Sequence, residues 1–422
     1  MPSASAPPPP SPSHILRSHT TSLSALAFSP DNERIYSGDA SGLVIITSTR
    51  SLRAIASWKA HTEGVLGIEE WGNRVVTHGR DNKLHVWDRV SEPTASASIR
   101  AGGFATATAS ASALLNPTLF CSMDVNSLNY CRFSLLPTPM SSSKSNDALI
   151  ALPNLIESSN ADIWTLPSCQ RVHAAIGKDR SLSIAEEILS SDGRGSAKTG
   201  LIMSMHLSCD SPIESQPSAS NSSTQLKLLC AYESGAVTQW RFSSTTKVTS
   251  VEGIGWEATW TVKLHVETVM AMAVTRDNSL ALTVSADHLV GRYDLINACK
   301  SDVGANKACV PHRTKHPGNA CISIRADGKV CAIGGWDGKI RLYSTKTLKS
   351  LGTLAYHKEG CQAVAFACSL REAAAPVESE EDTDENDMGA VEKEVRSRWL
   401  VAGGKDSRVS IWEMISFRDD KG

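Results

Sequence analysis

The chain has 422 residues, 41% hydrophobic and 20% charged, with a formal net charge of −2. That composition describes a folded globular chain and excludes a bulk attraction to nucleic acid. No stretch reaches the roughly 18 apolar residues of a membrane span, and the 11 cysteines include no C-x-x-C pair of the kind that marks zinc or redox sites.

From the N-terminus, residues 1–13 are rich in Pro, Ser and Ala without a basic start or an apolar run, which reads as a disordered leader and not a secretory signal. Ile15-Leu16-Arg17 follows as a lone short strand, and the first repeat opens at His19. The clearest unit runs from Lys59 to Asp88. It holds His61, an apolar strand, a second strand ending Val75-Val76-Thr77, the turn Gly79-Arg80-Asp81-Asn82, and Leu84-His85-Val86-Trp87-Asp88. A turn residue followed six positions later by an aromatic or its substitute recurs along the chain. The pairs are Ser41/Thr47, Asp81/Trp87, Ser234/Trp240, Asp287/Tyr293, Asp337/Tyr343 and Asp406/Trp412, with a degenerate one at Asn160/Leu166. A short turn needs a side chain that caps backbone N–H groups, and the residues after it form a strand whose alternate positions pack between units. Seven units predict an all-β, seven-bladed WD-repeat propeller over residues 14–416, closed by pairing of residues 15–17 with residues 409–412 and followed by a short tail, 417–422.

In the second unit His61, Thr77, Asp81 and Trp87 are placed to form a hydrogen-bonded chain, and His265, Thr283, Asp287 and Tyr293 can fill the same roles in the fifth. Other sets look incomplete: the first has His19 and Ser37 but no aromatic, and Ile333 and Ala402 stand where the sixth and seventh need a hydroxyl. With Ser41 as the turn residue of the first unit, Asp39 two positions earlier is expected to contribute little. The histidines read as structural, so no catalytic, cofactor or metal site is expected. Cysteines such as Cys131, Cys230, Cys321 and Cys331 sit in apolar runs and read as buried free thiols of a reducing compartment. Insertions with compositions unable to bury a core are expected at about 93–116, 141–146, 209–225 and 372–396. The last carries nine acidic residues and one lysine between Glu378 and Glu394.

Several stretches are narrower than a generic repeat. Ser13-His14-Ile15-Leu16-Arg17-Ser18-His19, Ser37-Gly38-Asp39-Ala40-Ser41-Gly42, Trp58-Lys59-Ala60-His61, Thr77-His78-Gly79-Arg80-Asp81-Asn82 and Val125-Asn126-Ser127-Leu128-Asn129-Tyr130-Cys131-Arg132-Phe133 resemble the fungal ASTRA-associated protein 1 family. Gly334-Gly335-Trp336-Asp337-Gly338 and Ala402-Gly403-Gly404-Lys405-Asp406 extend the resemblance toward the C-terminus. It implies a non-catalytic scaffold, a WD-repeat subunit of the ASTRA chromatin-regulator complex. The implied partners are kinase-chaperone subunits, RuvB-like ATPases and large subunits related to phosphatidylinositol 3-kinase. It also implies a nuclear location, with the cytoplasm as the other reducing compartment, and a monomer within a hetero-complex. Membrane attachment and direct nucleic-acid binding are not expected.

Three rivals use the same ring. For an enzyme, the chain lacks H-E-x-x-H, G-x-S-x-G and Walker motifs. For a ubiquitin-ligase substrate receptor or a G-protein-β-like adaptor, no F-box-like helix or coiled-coil heptad precedes the first unit. Arg80, Trp336 and Lys405 each stand just before a turn aspartate. They form the candidate partner-binding rim, and would equally serve the third rival, contact with DNA or histones.

Overall fold

The computed structural model describes residues 10–415 apart from 91–113, 129, 139–146, 179–198, 211–224, 244–248, 301–303 and 370–388. A short first strand, β1 (His14–Leu16), precedes the ring. Blade 1 is β2 (Leu23–Phe28), β3 (Arg34–Asp39), β4 (Leu43–Ser48) and β5 (Ala54–Lys59). Blade 2 is β6 (Val65–Trp71), β7 (Arg74–Gly79), β8 (Lys83–Asp88) and β9 (Thr118–Asp124). Blade 3 is β10 (Ser134–Pro137), β11 (Ala148–Pro153), β12 (Ala161–Leu166) and β13 (Gln170–Ile176). Blade 4 is β14 (Ile202–Cys209), β15 (Leu226–Tyr232), β16 (Ala236–Phe242) and β17 (Trp256–Lys263). Blade 5 is β18 (Val269–Val274), β19 (Leu280–Ser285), β20 (Leu289–Asp294) and β21 (Cys309–Arg313). Blade 6 is β22 (Asn319–Ile324), β23 (Val330–Gly335), β24 (Lys339–Ser344) and β25 (Ser350–Ala355). Blade 7 is β26 (Cys361–Phe366), β27 (Trp399–Gly404) and β28 (Val409–Glu413), completed by β1.

Every sheet has four antiparallel strands, and β1 pairs with β28 in the register His14↔Ile411, Ile15↔Ser410, Leu16↔Val409. The chain thereby closes its own ring and removes two exposed edges at once. Leu16, Val409 and Ile411 then pack with Leu23, Leu26 and Ile35 of blade 1, so closure and the interface between blades 7 and 1 share one core. Similar apolar clusters fill the other interfaces. Between blades 2 and 3, for example, Trp71, Leu84 and Val86 meet Phe133, Ile150 and Leu152. Burying whole aliphatic side chains on both faces of each blade, at about 1.5–3 kcal/mol apiece, supplies most of the ring's cohesion.

Up-and-down order puts the loops of each blade at two opposite ends. The turn between second and third strands and the loop leading to the next blade share one end, called here the turn end. At this end Gly42 adopts φ +91°, and a Cβ there would stand 2.1 Å from the His61 carbonyl oxygen. His61 N–H donates back to Gly42 O at 3.2 Å, so successive blades touch backbone to backbone.

The described ends of three predicted insertions are joined to the ring, and the fourth, 141–146, lies outside the described residues. Cys209 ends β14, and Asp210 N–H donates to Gln225 O at 3.1 Å, so the predicted 209–225 loop is pinned at its neck by continued pairing. Leu115, inside the predicted 93–116 loop, bridges Ala56 on the outer strand of blade 1, and Ser250 likewise bridges His173 on that of blade 3. Both bridges run parallel and cover an outer edge that would otherwise be open. The predicted 372–396 loop ends in a helix. After α1 (Leu295–Ala298) and α2 (Ala305–Ala308), α3 spans Ala390–Arg396. Arg396 Nε donates to Thr49 O at 3.2 Å and its guanidinium lies 4.3 Å from the Trp399 ring centre, which anchors the helix at the end opposite the turn end. The acidic residues before it, residues 1–9 of the leader and the tail lie outside the described residues, while at the leader's end Ser13 N–H donates to Ile411 O at 2.8 Å.

Candidate functional site: the turn end of the ring

Blades 1, 2, 5 and 7 are each tied at the turn end by a buried histidine. In blade 2, His61 Nδ1 stands 2.9 Å from Asp81 Oδ1 and Nε2 stands 2.9 Å from Thr77 Oγ1. Trp87 Nε1–H donates to the same hydroxyl at 2.9 Å. Burial lowers the pKa of His61, with Asp81 pulling the other way. The neutral tautomer that satisfies every partner carries its proton on Nδ1, toward the carboxylate. In blade 5, His265 reaches Asp287 at 3.1 Å and Thr283 at 2.7 Å, and the Tyr293 hydroxyl stands 3.2 Å from Thr283 Oγ1.

Blade 1 builds its tie differently from the sequence reading. His19 Nδ1 meets Asp39 Oδ2 at 2.9 Å and Nε2 meets Ser37 Oγ at 2.8 Å. Asp39 also accepts Ser41 N–H at 2.9 Å, Ser41 Oγ–H at 2.7 Å and Leu43 N–H at 3.2 Å. Asp39 is therefore the tying carboxylate and Ser41 its dependant, which corrects the expectation that Asp39 contributes little. The reason lies in the glycine that other blades carry at the corresponding place. A Cβ on Gly79 would fall 2.3 Å from His61 Nδ1 and 2.5 Å from Asp81 Oδ1, and one on Gly404 would fall 2.5 Å from His357 Nδ1 and 2.6 Å from Asp406 Oδ1. A side chain at that place enters the carboxylate's position directly, and in blade 1 that side chain is Asp39. Burial works against its charge, but bonds from His19 and Ser41 outweigh it and hold the pKa at about 2.

Blade 7 was read as lacking its hydroxyl, and it has one. His357 reaches Asp406 at 3.0 Å and Ser410 Oγ at 2.9 Å, and Trp412 Nε1–H donates to Ser410 at 2.9 Å. Ser410 lies directly across the ladder from Ala402, so the hydroxyl has moved one strand over without leaving the site. Blade 6 has no histidine in its tie. Asp337 instead accepts the Arg341 guanidinium, with Nη1 at 3.1 Å.

The three rim residues are exposed and joined by a run of contacts. The Arg80 guanidinium lies 4.2 Å from the ring centre of Tyr130. Trp336 is 50% exposed, with one ring face over Gly318, where a Cβ would lie 2.8 Å from the ring. Its backbone lies against Gly360, whose carbonyl accepts Lys405 N–H at 2.9 Å, and Lys405 O accepts Ser22 Oγ–H at 3.3 Å. Two strand positions further, Ser24 O accepts Arg132 Nη2–H at 2.9 Å. Trp336, Lys405, blade 1, Arg132, Tyr130 and Arg80 thus form an arc across blades 6, 7, 1, 2 and 3. Sequence reasoning found its ends but missed Tyr130 and Arg132. The signal was the stretch Leu128-Asn129-Tyr130-Cys131-Arg132, where two large side chains flank a buried cysteine in a loop.

His61, Asp81 and His85 bring ligand-type atoms within 4.8 Å of one another. Both ring nitrogens of His61 are already committed to Asp81 and Thr77, so this cluster serves the tie. All eleven cysteines are free thiols, six of them buried, and burial pushes the Cys230 and Cys331 thiols up to about 12.

Four-stranded blades closed into a ring by the first strand, with histidine–carboxylate ties at one end, define a WD-repeat β-propeller protein. A family model described as WD domain, G-beta repeat matches residues 10–48 and 308–344. The chain is 32% identical to ASTRA-associated protein 1 of Verticillium alfalfae, over 96% of its own length and 93% of that protein. Its identity to ASTRA-associated protein 1 of Schizosaccharomyces pombe is 28%, over 96% and 99%. Guanine nucleotide-binding protein subunit beta-like protein 1 of Mus musculus is 25% identical, over 97% of each chain. The chain belongs to the ASTRA-associated protein 1 family.

Proposed function

We propose that this chain is a non-catalytic scaffold within a nuclear ASTRA-type assembly, linked to chromatin remodelling and to the assembly of kinases related to phosphatidylinositol 3-kinase. It docks partner proteins at the turn end. The observation that carries the docking is the exposed arc of aromatic and cationic side chains, Trp336, Lys405, Arg132, Tyr130 and Arg80, held on a rigid ring. Exposed Trp, Tyr and Arg are the residue types enriched at interface hot spots. The family name ties relatives to ASTRA and supports the choice of assembly. The ionisable groups favour a scaffold over an enzyme. Four of the twelve histidines are consumed in ties, and Glu69, raised to about 7 by burial, has no hydrogen-bond or ion-pair partner among the described residues. A lone carboxylate supplies neither an acid–base pair nor an activated nucleophile.

The test is affinity purification of the full chain from its own cells, with parent protein and with a Trp336→Ala/Arg80→Glu variant of unchanged melting temperature. The parent should recover kinase-chaperone subunits and RuvB-like ATPases, and the variant should lose at least about tenfold of that recovery, as expected for a hot-spot loss above 1.4 kcal/mol. Recovery of cullin-type proteins alone by the parent would overturn the assembly, and full recovery by the variant would overturn the rim.

A further inference from the structure

The arc widens over blades 2 and 3 into a surface with a more specific chemistry, and the inference drawn there deepens the scaffold reading and rests on it. Arg132 stands between buried Cys131 and Phe133, just before the inner strand of blade 3. Its side chain crosses blade 2 at Gly67, where a Cβ would lie 3.7 Å from Arg132 Cβ and 3.1 Å from the Phe133 ring, and ends on blade 1. Of its five N–H donors only the one on Ser24 O is used among the described residues. Neither Arg132 nor Arg80 forms an ion pair there. The surrounding protein disfavours Arg132's charge, with nearby thiols only partly offsetting it. A guanidinium fixed at the mouth of the ring with most of its fork unmatched is complementary to a carboxylate.

The loop that leads to Arg132, together with the blade 3 turn bonded to it, presents an apolar shelf. Leu128 is 59% exposed, Tyr130 56% and Ile156 86%, with Leu155 next to them in sequence at 43%. These side chains come from two loops that are bolted together: Asn126 Nδ2–H donates to Asn154 O at 2.7 Å and to Ser158 Oγ at 2.8 Å. Each loop is also pinned internally, Asn126 Oδ1 accepting Leu128 N–H at 3.0 Å and Asn154 Oδ1 accepting Ile156 N–H at 3.0 Å. Tyr130 is held at φ +56°, a left-handed conformation unusual for an aromatic residue, with its ring against Arg80. Hydrogen bonds that hold apolar side chains out in water bring no stabilising contact among the described residues, and preorganisation of that kind favours a bound partner.

We infer that the mouth of the ring over blades 1 to 3 takes an extended segment of a protein partner, seating one carboxylate side chain on Arg132 and an adjacent aliphatic or aromatic side chain on Leu128, Tyr130 and Ile156. A single-stranded nucleic acid fits less well. Arg80 covers a face of the only aromatic ring on the shelf, and Leu128 and Ile156 offer no stacking plane.

A library of short random peptides selected on the intact chain tests this. Selected sequences should carry Asp or Glu beside Leu, Ile, Met or Phe. In fluorescence anisotropy, the best of these peptides should bind at least about tenfold more weakly to Arg132→Gln and to Ile156→Asp, with Arg132→Lys intermediate. Replacing the peptide's acid by its amide should cost the parent the same factor and cost Arg132→Gln nothing further. Because Ile156 is 86% exposed, its variant keeps the test valid if Arg132→Gln loosens the ring. Selection of acid-free peptides, equal binding by the parent and both variants, or tighter binding of a single-stranded RNA oligonucleotide than of any selected peptide overturns the inference. Its failure is separable from failure of the scaffold: parent protein that recovers the assembly from cells while selecting no acidic peptide keeps the scaffold and loses the mouth.

Discussion

Blades 1 and 2 perform the same task with the carboxylate in different places. In blade 2 it rises from the turn at Asp81, over a glycine at 79 that leaves it room, whereas in blade 1 it stands on the strand itself at Asp39 and the turn residue is a serine. Blade 7 shifts the other half of the device, taking its hydroxyl from Ser410 on the neighbouring strand. What blades 1, 2 and 7 all retain is a point in space where a histidine finds an acceptor on one side and a hydroxyl on the other. The sequence position that supplies each group is free to move wherever ladder geometry brings another Cβ to the same point.

The comparison breaks most readily at Asp39. Asp39→Ala strips the acceptor from His19, Ser41 and Leu43 and should cost about 3 kcal/mol in denaturant unfolding, at least as much as Asp81→Ala, with Ser41→Ala within about 0.5 kcal/mol of the parent. A loss at Asp39 no larger than that at Ser41 would return the tie to the turn. The next effect sharpens the contrast through His78, which stands where blades 1 and 7 have Gly38 and Gly403. It is fully buried, neither ring nitrogen has a hydrogen-bond partner among the described residues, and burial lowers its pKa to about 3. With its folded pKa depressed, protons favour the unfolded chain below pH 6.5. Stability from this residue should therefore fall as pH drops, by about 2 kcal/mol at pH 5. The pH dependence of unfolding should be shallower by that amount in His78→Leu, and an unchanged slope would show that His78 is protonated in the folded ring. Smallest is Ser410→Ala, expected to cost about 1–2 kcal/mol by unpairing His357 and Trp412, with Ala402→Ser added on top restoring at least half. Calorimetry on the single and double variants decides whether the hydroxyl can move back across the ladder.

The ring, its blade count and its closure were legible because each depends on period and turn chemistry, which are local in sequence. The ties in blades 2 and 5 read directly, since their four residues follow the commonest spacing. Those in blades 1 and 7 did not, because two residues along a strand and one step across a ladder are equivalent in space but not in sequence. The rim behaved similarly. Arg80, Trp336 and Lys405 share a position relative to a turn and could be found by offset. Arg132 matters because a glycine in the neighbouring blade lets it pass to blade 1, and no spacing rule encodes that. Loops misled for the opposite reason: composition shows that a segment cannot form a core of its own, yet says nothing of whether Leu115 or Arg396 will borrow a neighbour's edge.

Closure by β1 sets an order of events during synthesis. Residues 14–16 leave the ribosome early, and their partners at 409–411 follow almost 400 residues later. At about 5–20 residues per second that interval is roughly 20–80 seconds. Throughout it blades 1 to 6 can fold on one another while the nascent ring stays open, with the apolar face of blade 1 still waiting for Leu16, Val409 and Ile411. The growing chain is therefore an aggregation hazard for most of its translation and a finished ring only at the end. Its yield in a cell should depend on chaperones that shield that face and on an N-terminus left free to swing into place.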